Sequence, residues 1–276
     1  VLFIVTAYHV EAKPIIEYFG LKKVLKNSRF QVFAGKEMAL VESGPGAIAS
    51  ACATSFLLTE FKARSKDIAL NIGIAGAKND NLKKGEAILC HKIIYNDTKR
   101  VFYPDILVKH NMKEGVLETF DFPVVKGDYP AELIEGDIVD MEGAGFFEAA
   151  SFFLPPHGVH CIKVVSDYLE RAVEPSFVLD IIGENLPLIE GFISSLESIH
   201  RFMPRGLSEN EEKIIDKLAE NLRLTFTMTH QLKNLIQYYL SKNEGLPWEL
   251  YEFLNIKVNS KSEGKVYFER IKKMLC

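Results

Sequence analysis

The chain has 276 residues, with 47% hydrophobic and 25% charged residues and a formal net charge of −4. This is ordinary globular composition, enough for one large α/β domain with an appendage or for two domains. The mildly acidic balance gives no footprint for nucleic acid or for an anionic membrane.

Cys52, Cys90, Cys161 and Cys276 are widely scattered, with no CxxC pair and no Cys/His ligand spacing. No zinc or other metal site is therefore expected. Three of the four lie in apolar or small-residue surroundings and read as buried thiols in a reducing compartment. The opening run Val1-Leu2-Phe3-Ile4-Val5 is too short and too uncharged for a signal peptide. The longest low-charge stretch, Ser43 to Thr59, is broken by Gly44, Pro45 and Gly46 and makes a poor membrane span. The expectation is a cytoplasmic chain without membrane or nucleic-acid partners.

Val1 to Val5 reads as a strand buried on both faces. Glu11 should lie in the loop after it, with Pro14 in the first turn of a helix that Gly20 closes. A first-turn acid favoured by the helix dipole is the plainer reading of Glu11. Phe30 to Phe33 and Glu37 to Glu42 look like a hairpin turning at Gly35. Ser43-Gly44-Pro45-Gly46 follows, then a helix from Ala47 to Phe61 whose small residues permit close packing. Gly44, Gly46 and Ala49 match a G-x-G-x-x-A dinucleotide pattern. The match is weak, because no strand ending in a ribose-binding acid follows at the required distance.

Asp67 to Ile74 is the next buried strand, ending in Gly73-Ile74-Ala75-Gly76-Ala77. Glycines there let a ligand approach the backbone, or simply bend the strand. Gly85 to Ile94 is a further strand. From Tyr95 to Pro130 the pattern weakens into loops, marked by Tyr103-Pro104-Asp105, Phe122-Pro123 and Gly127-Asp128-Tyr129-Pro130. Loops of this kind shape substrate pockets, and Tyr103, Phe122 and Tyr129 could stack on a base, although loop aromatics more often simply anchor the loop.

Ile138-Val139-Asp140-Met141-Glu142-Gly143-Ala144-Gly145 begins as a strand, turns acidic and runs into a helix. Val159 to Val165 ends in the same way, in Ser166-Asp167. In an open α/β sheet ligands bind at such carboxyl ends, so two neighbouring strands would bring Glu142 and Asp167 to one edge. Helix N-caps are the competing reading for each acid.

Phe177 to Leu196 reads as a helix on the sheet, and Arg201 to Gly206, with Pro204, as a boundary. Ser208-Glu209-Asn210-Glu211 offers an N-cap with an acidic first turn. Glu212 to Leu240 is apolar at helical spacing, and further helices are expected at Pro247 to Phe253 and Val266 to Leu275. Thr225, Thr227, Thr229 and His230 read as helix surface or packing rather than chemistry. The expected architecture is α/β: a central mixed, mainly parallel sheet flanked by helices over residues 1–200, with an all-α appendage over 201–276.

In order, Ala7-Tyr8-His9-Val10-Glu11, Ser43-Gly44-Pro45-Gly46, Asn71-Ile72-Gly73-Ile74-Ala75-Gly76, Val139-Asp140-Met141-Glu142-Gly143-Ala144 and Val164-Val165-Ser166-Asp167 resemble motifs of the nucleoside phosphorylase/nucleosidase superfamily. The match is best to its methylthioadenosine/S-adenosylhomocysteine nucleosidases. The resemblance implies cleavage of the N-glycosidic bond of an adenosine-type nucleoside. It implies catalytic roles for Glu11, which handles the attacking water, and for Asp167, the acid near purine N7. It implies substrate contacts from Ala75, Gly76, Asp140, Met141, Glu142 and Ser166, with no cofactor and a homodimeric assembly. Held protonated, Asp167 would stabilise the leaving purine, while Glu142 would bind the ribose hydroxyls. The logic parallels that of inverting glycosidases.

Ile74 stands where these nucleosidases have serine, and Lys126-Gly127-Asp128-Tyr129 matches the family's purine loop only loosely. Asn71 and Ile74 are poor anion ligands, and a phosphate dianion beside Glu11 would be repelled. Water is thus favoured over phosphate as nucleophile. A phosphorylase and a non-catalytic nucleoside-binding module, using the tail to contact a protein partner, remain as alternatives.

Overall fold

Alternate residues of the first strand, β1 (Leu2–Thr6), enter opposite cores: Phe3 and Val5 join one apolar cluster, Leu2 and Ile4 another. A strand covered on both faces reads as an unbroken apolar run for this reason. The computed structural model describes residues 1–276 apart from 26, 27, 171, 172, 203–206, 244 and 276. After β1 come α1 (His9–Phe19), β2 (Lys22–Val24), β3 (Gln31–Ala34), β4 (Met38–Glu42), α2 (Ala47–Glu60), β5 (Ile68–Ala77) and β6 (Ala87–Tyr95). Then follow β7 (Arg100–Phe102), β8 (Lys113–Thr119), β9 (Ile138–Asp140), α3 (Gly143–Ala150), β10 (Val159–Asp167) and α4 (Pro175–Phe202). The last part of the chain is helical: α5 (Glu209–Asn221), α6 (Phe226–Lys242), α7 (Trp248–Glu252) and α8 (Lys261–Leu275).

The strands form one mixed sheet in the order β10-β6-β8-β9-β5-β1-β4-β3-β2, with β7 on β6. β10 also pairs with β5, so β5, β9, β8, β6 and β10 close into a ring. The sheet is therefore neither open nor mainly parallel. Five pairings are parallel and five antiparallel. Runs buried on both faces carry no mark of their neighbours' direction, which is why the sequence pattern could not separate the two. Register shifts at Val165/Asp167 and at Cys90/Lys92 lie within the ring. Such bulges bend strands and increase their twist, which helps a sheet close.

α2 and α3 cover one face with Ala53, Leu57, Leu58, Phe146 and Phe147. α1 and α4 cover the other with Ala12, Ile15, Val178, Ile182 and Ile189. α2 and α3 cross so closely that a Cβ on Gly145 would lie 2.0 Å from the Ala47 carbonyl oxygen. Cys90 and Cys161 are buried, but Cys52 of α2 is exposed, against expectation; Cys276 is outside the described residues.

Three local expectations change. α1 begins at His9, so Glu11 sits in its first turn rather than in a loop, and Pro14 is interior. β8 lies in the stretch expected to be loop. Its Glu118 and Thr119 are buried polar residues, which hid the strand. β9 and β10 are not neighbours: β5 stands between them, with Gly76 opposite both Val139 and Asp167.

The chain divides into compact units Val1–His200 and Arg201–Cys276. The expected boundary at Arg201 to Gly206 falls largely on residues 203–206, outside the described set. In the second unit, Leu218, Leu222, Leu232, Ile236, Phe268 and Ile271 form a core of their own. The helical run expected from Glu212 to Leu240 is two helices, broken before Thr225, whose hydroxyl accepts the Met228 N–H to cap α6. Ser208 caps α5 in a reciprocal box with Glu211. No helix among the described residues is long and apolar enough to cross a membrane.

Candidate active site

A cavity of about 190 Å³ is lined by Tyr8, Glu11, Ile74, Ala75, Gly76, Asp140, Met141, Glu142, Ser166 and Asp167, with Pro123, Val124, Val139 and Glu170 completing its wall. All eight site residues expected from the sequence meet there. They come from the first turn of α1 and from the ends of β5, β9 and β10, so no local segment could form the pocket alone.

Glu11 is 3% exposed. Its Oε2 accepts the N–H groups of Ala7 and Tyr8, both at 2.9 Å, and its Oε1 accepts that of Ile74 at 2.9 Å. Such donors favour an anion, whereas burial disfavours it. Burial wins and raises the Glu11 pKa, opposed by Lys163 and by those N–H groups. Gly73 makes room for this carboxylate, since a Cβ there would lie 2.7 Å from Glu11 Oε1.

The Ser43–Gly46 turn explains itself at Glu142. Gly46 N–H donates to Glu142 Oε1 at 2.8 Å, from a backbone φ of 100° that suits glycine. Glu142 is raised to about 7, first by burial and then by the neighbouring Asp140, against the pull of Lys163.

Asp167 Oδ2 lies 2.5 Å from Ser166 Oγ, and Oδ1 accepts the Glu170 N–H at 2.8 Å. Ser166 Oγ also reaches the Ala75 carbonyl at 3.3 Å. Ser166 Oγ donates to Asp167 Oδ2, so the serine and the Glu170 N–H together fix the orientation of the carboxyl group.

Sequence reasoning missed Lys163. It is 1% exposed, and its Nζ lies 2.8 Å from Asp140 Oδ2. Asp140 also accepts from Thr119 Oγ1 and Gly143 N–H, both at 2.7 Å. Asp140 thus anchors Lys163 and the start of α3, besides lining the cavity. Burial works to lower the Lys163 pKa, but Asp140 and Glu142 overcome it and raise it. A single charged residue inside a run that is otherwise apolar was the available signal, because a buried charge needs a partner.

The loop aromatics anchor their loop rather than face a base. Tyr103, Phe122 and Tyr129 do not line the cavity; Phe122 and Tyr129 pack on Phe120 instead. Asn71 is buried and donates to the Val5 carbonyl, away from the cavity lining. No cluster among the described residues could hold a metal ion.

The strand order and the shared cavity invite comparison with known proteins. No family model matches the chain. It is 25% identical to the 5'-methylthioadenosine/S-adenosylhomocysteine nucleosidase of Aeromonas salmonicida over 189 residues, which is 55% of this chain and 78% of that protein. It is 36% identical to the Listeria welshimeri protein of the same name over 76 residues, spanning 31% of that relative's length. Among solved structures, the Streptococcus pneumoniae nucleosidase with a transition-state inhibitor superposes with a TM-score of 0.58 at 21% identity, covering 71% of this chain and 99% of that one. The Helicobacter pylori nucleosidase with butyl-thio-DADMe-Immucillin-A gives 0.57 at 18%, covering 70% and 97%.

The fold is that of these solved nucleosidases. In sequence, too, the similarity is to methylthioadenosine/S-adenosylhomocysteine nucleosidases. The solved nucleosidases cover about as many residues as the α/β unit, at 70–71% of this chain.

Proposed function

We propose that the chain is a purine nucleoside N-ribohydrolase that cleaves an adenosine-type nucleoside such as methylthioadenosine or S-adenosylhomocysteine. The observation that carries this reading is the meeting of Glu11, Glu142 and Asp167 on one cavity, each fixed in orientation by hydrogen bonds.

Glu11 takes a proton from water, whose oxygen then adds to the anomeric carbon. The bond from that carbon to purine N9 breaks, and its electron pair leaves with the base. Asp167 supplies a proton at N7, which neutralises the leaving purine. Glu142 accepts the ribose hydroxyls and favours the positive charge developing on the sugar. Met141 gives the sugar an apolar contact, and Ala75 and Gly76 let the base approach the strand backbone. Water is favoured over phosphate because no lysine or arginine lines the cavity among the described residues. An anion there would face Glu11 and Glu142, while the nearby Lys163 is already paired with Asp140.

The reading includes a cytoplasmic site of action and a homodimer. α2 carries no charged residue before Glu60, yet Ile48 is 79% exposed, and Phe152 just beyond α3 is 83% exposed. Apolar side chains left open on this scale suit a second copy of the chain. The helical unit is available for a protein partner. Sedimentation of the purified chain tests the dimer.

The activity is tested by incubation with methylthioadenosine, S-adenosylhomocysteine, adenosine and inosine, with and without phosphate. Free base released without phosphate, and lost in Glu11→Gln and Asp167→Asn, is the expected result. Release only with phosphate makes the protein a phosphorylase. Tight binding without release makes it a nucleoside-binding module.

A further inference from the structure

We propose that the helical unit binds a second copy of itself head to tail, the Trp248–Glu252 face of one copy entering a groove along α8 of the next. This contact goes beyond the nucleosidase reading and is independent of it.

Leu250 is fully buried in the core of the helical unit, so α7 turns its other side outward. Trp248, Tyr251 and Glu252 lie there, three and four residues apart on one helical face. Trp248 is 69% exposed and Tyr251 48%. Scattered apolar side chains are normal on a surface, but two aromatic rings on one face form a patch. Tryptophan, tyrosine and arginine are the side chains that most often anchor protein interfaces.

α8 is the counterpart. It buries Gly264, Phe268, Ile271 and Leu275. Its opposite face, Ser262, Lys265, Val266, Glu269, Arg270 and Lys273, lines a groove of about 490 Å³. Val266 offers an apolar floor, being 54% exposed. The Arg270 guanidinium already lies over the Tyr267 ring, 5.4 Å from its centroid. A planar guanidinium can take a second ring on its other side.

The two faces complement each other in charge. Glu249 and Glu252 flank the aromatic rings, and Lys265 and Lys273 flank the groove; none of the four has an ion-pair partner among the described residues. Glu269 stands among the cations, which disfavours a polyanion such as nucleic acid as the occupant. An acidic segment carrying aromatic rings is the better fit, and this chain carries one. Leu250 and Phe268 share one core, so both faces belong to one compact unit. Contact between different patches of identical units is heterologous, and it repeats from copy to copy instead of stopping at a dimer.

The full chain is tested by sedimentation velocity at rising concentration, in low and high salt. Its sedimentation coefficient should climb past that of a dimer, and should fall back as salt screens the charges. One variant carries Trp248→Ser and Glu252→Lys; another carries Arg270→Glu and Lys273→Glu. Each should weaken assembly about 30-fold, the loss expected when an interfacial anchor is removed, with circular dichroism unchanged. The first variant keeps its groove and the second keeps its aromatic face. Mixing the two should therefore restore complexes that neither forms alone, which also shows that both are folded. A parent that never exceeds a dimer overturns the proposal. So do variants that assemble like the parent, or a mixture that restores nothing.

Discussion

Lys163 Nζ and Asp140 Oδ2 are 2.8 Å apart, and the two side chains are 2% and 1% exposed. The ammonium also faces Glu142 and Glu11, whose carboxylates it favours in the charged form. Breaking a buried pair leaves one charge without a partner, at a cost of about 3–5 kcal/mol. Lys163→Met should therefore lose stability on that scale in urea unfolding. Lys163→Met with Asp140→Asn, which buries no net charge at the pair, should recover much of it. Base release should stay low in both, because Glu11 loses the cation that opposes the upward pull of burial on its carboxyl group. Full activity in the double variant would remove Lys163 from the site's chemistry.

Gly73→Ala tests the placement of Glu11 without touching its charge. The new Cβ would fall 2.7 Å from Glu11 Oε1, and the carboxylate is pinned by three N–H groups. It must shift, and a misplacement of about 1 Å at a catalytic group costs on the order of 100-fold in rate. Steady-state kinetics should show that loss mainly in kcat, in a protein whose circular dichroism is unchanged. An unaltered kcat would show that Glu11 need not sit where it does.

Glu142 lies about where protonation is half complete at neutral pH. Its raised pKa means that the folded chain keeps a proton that the unfolded chain gives up near 4.5. Its contribution to stability is thus fully present below pH 4.5 and is lost as pH rises through about 7. Ribose hydroxyls need the ionised form as acceptor. Ligand binding should then release a proton and tighten as pH rises through 7. Calorimetry of a non-hydrolysable nucleoside in buffers of different ionisation enthalpy measures that proton. Glu142→Gln should abolish its release and weaken binding. The same proton count in the variant would place the titration elsewhere.

Gly264 of α8 sits against the Leu222 carbonyl, 1.9 Å from where a Cβ would be. Backbone on both sides leaves nothing flexible to yield. Gly264→Ala should destabilise the helical unit by at least the 1–3 kcal/mol typical of overpacking. Scanning calorimetry should show the loss in that unit, with nucleoside cleavage by the α/β unit retained. Loss of cleavage with an intact α/β transition would tie the helical unit to catalysis.

The sequence made most of the site legible through Glu11, Glu142 and Asp167, because acids that end apolar runs stand out. The strands β1, β5 and β10 were equally plain as buried runs. What it hid has a common cause. Glu118 accepts N–H groups from Glu135 and Gly136 and the Asn96 amide, and Thr119 binds Asp140. Polar residues satisfied by distant partners look like loop, so β8 was missed. Lys163 was passed over inside β10 for the same reason, its partner lying on β9. The loop aromatics follow the commoner reading of such residues, since Phe122 and Tyr129 spend their rings on Phe120.

The ring of strands closes only when β10, the last to leave the ribosome, pairs with β5 and β6 at once. Asp167 is at the end of that strand, and Gly76 opposite it has been waiting since β5. On the proposed function, a chain that ends before residue 167 lacks the acid assigned to N7, so copies truncated there would be silent rather than slow.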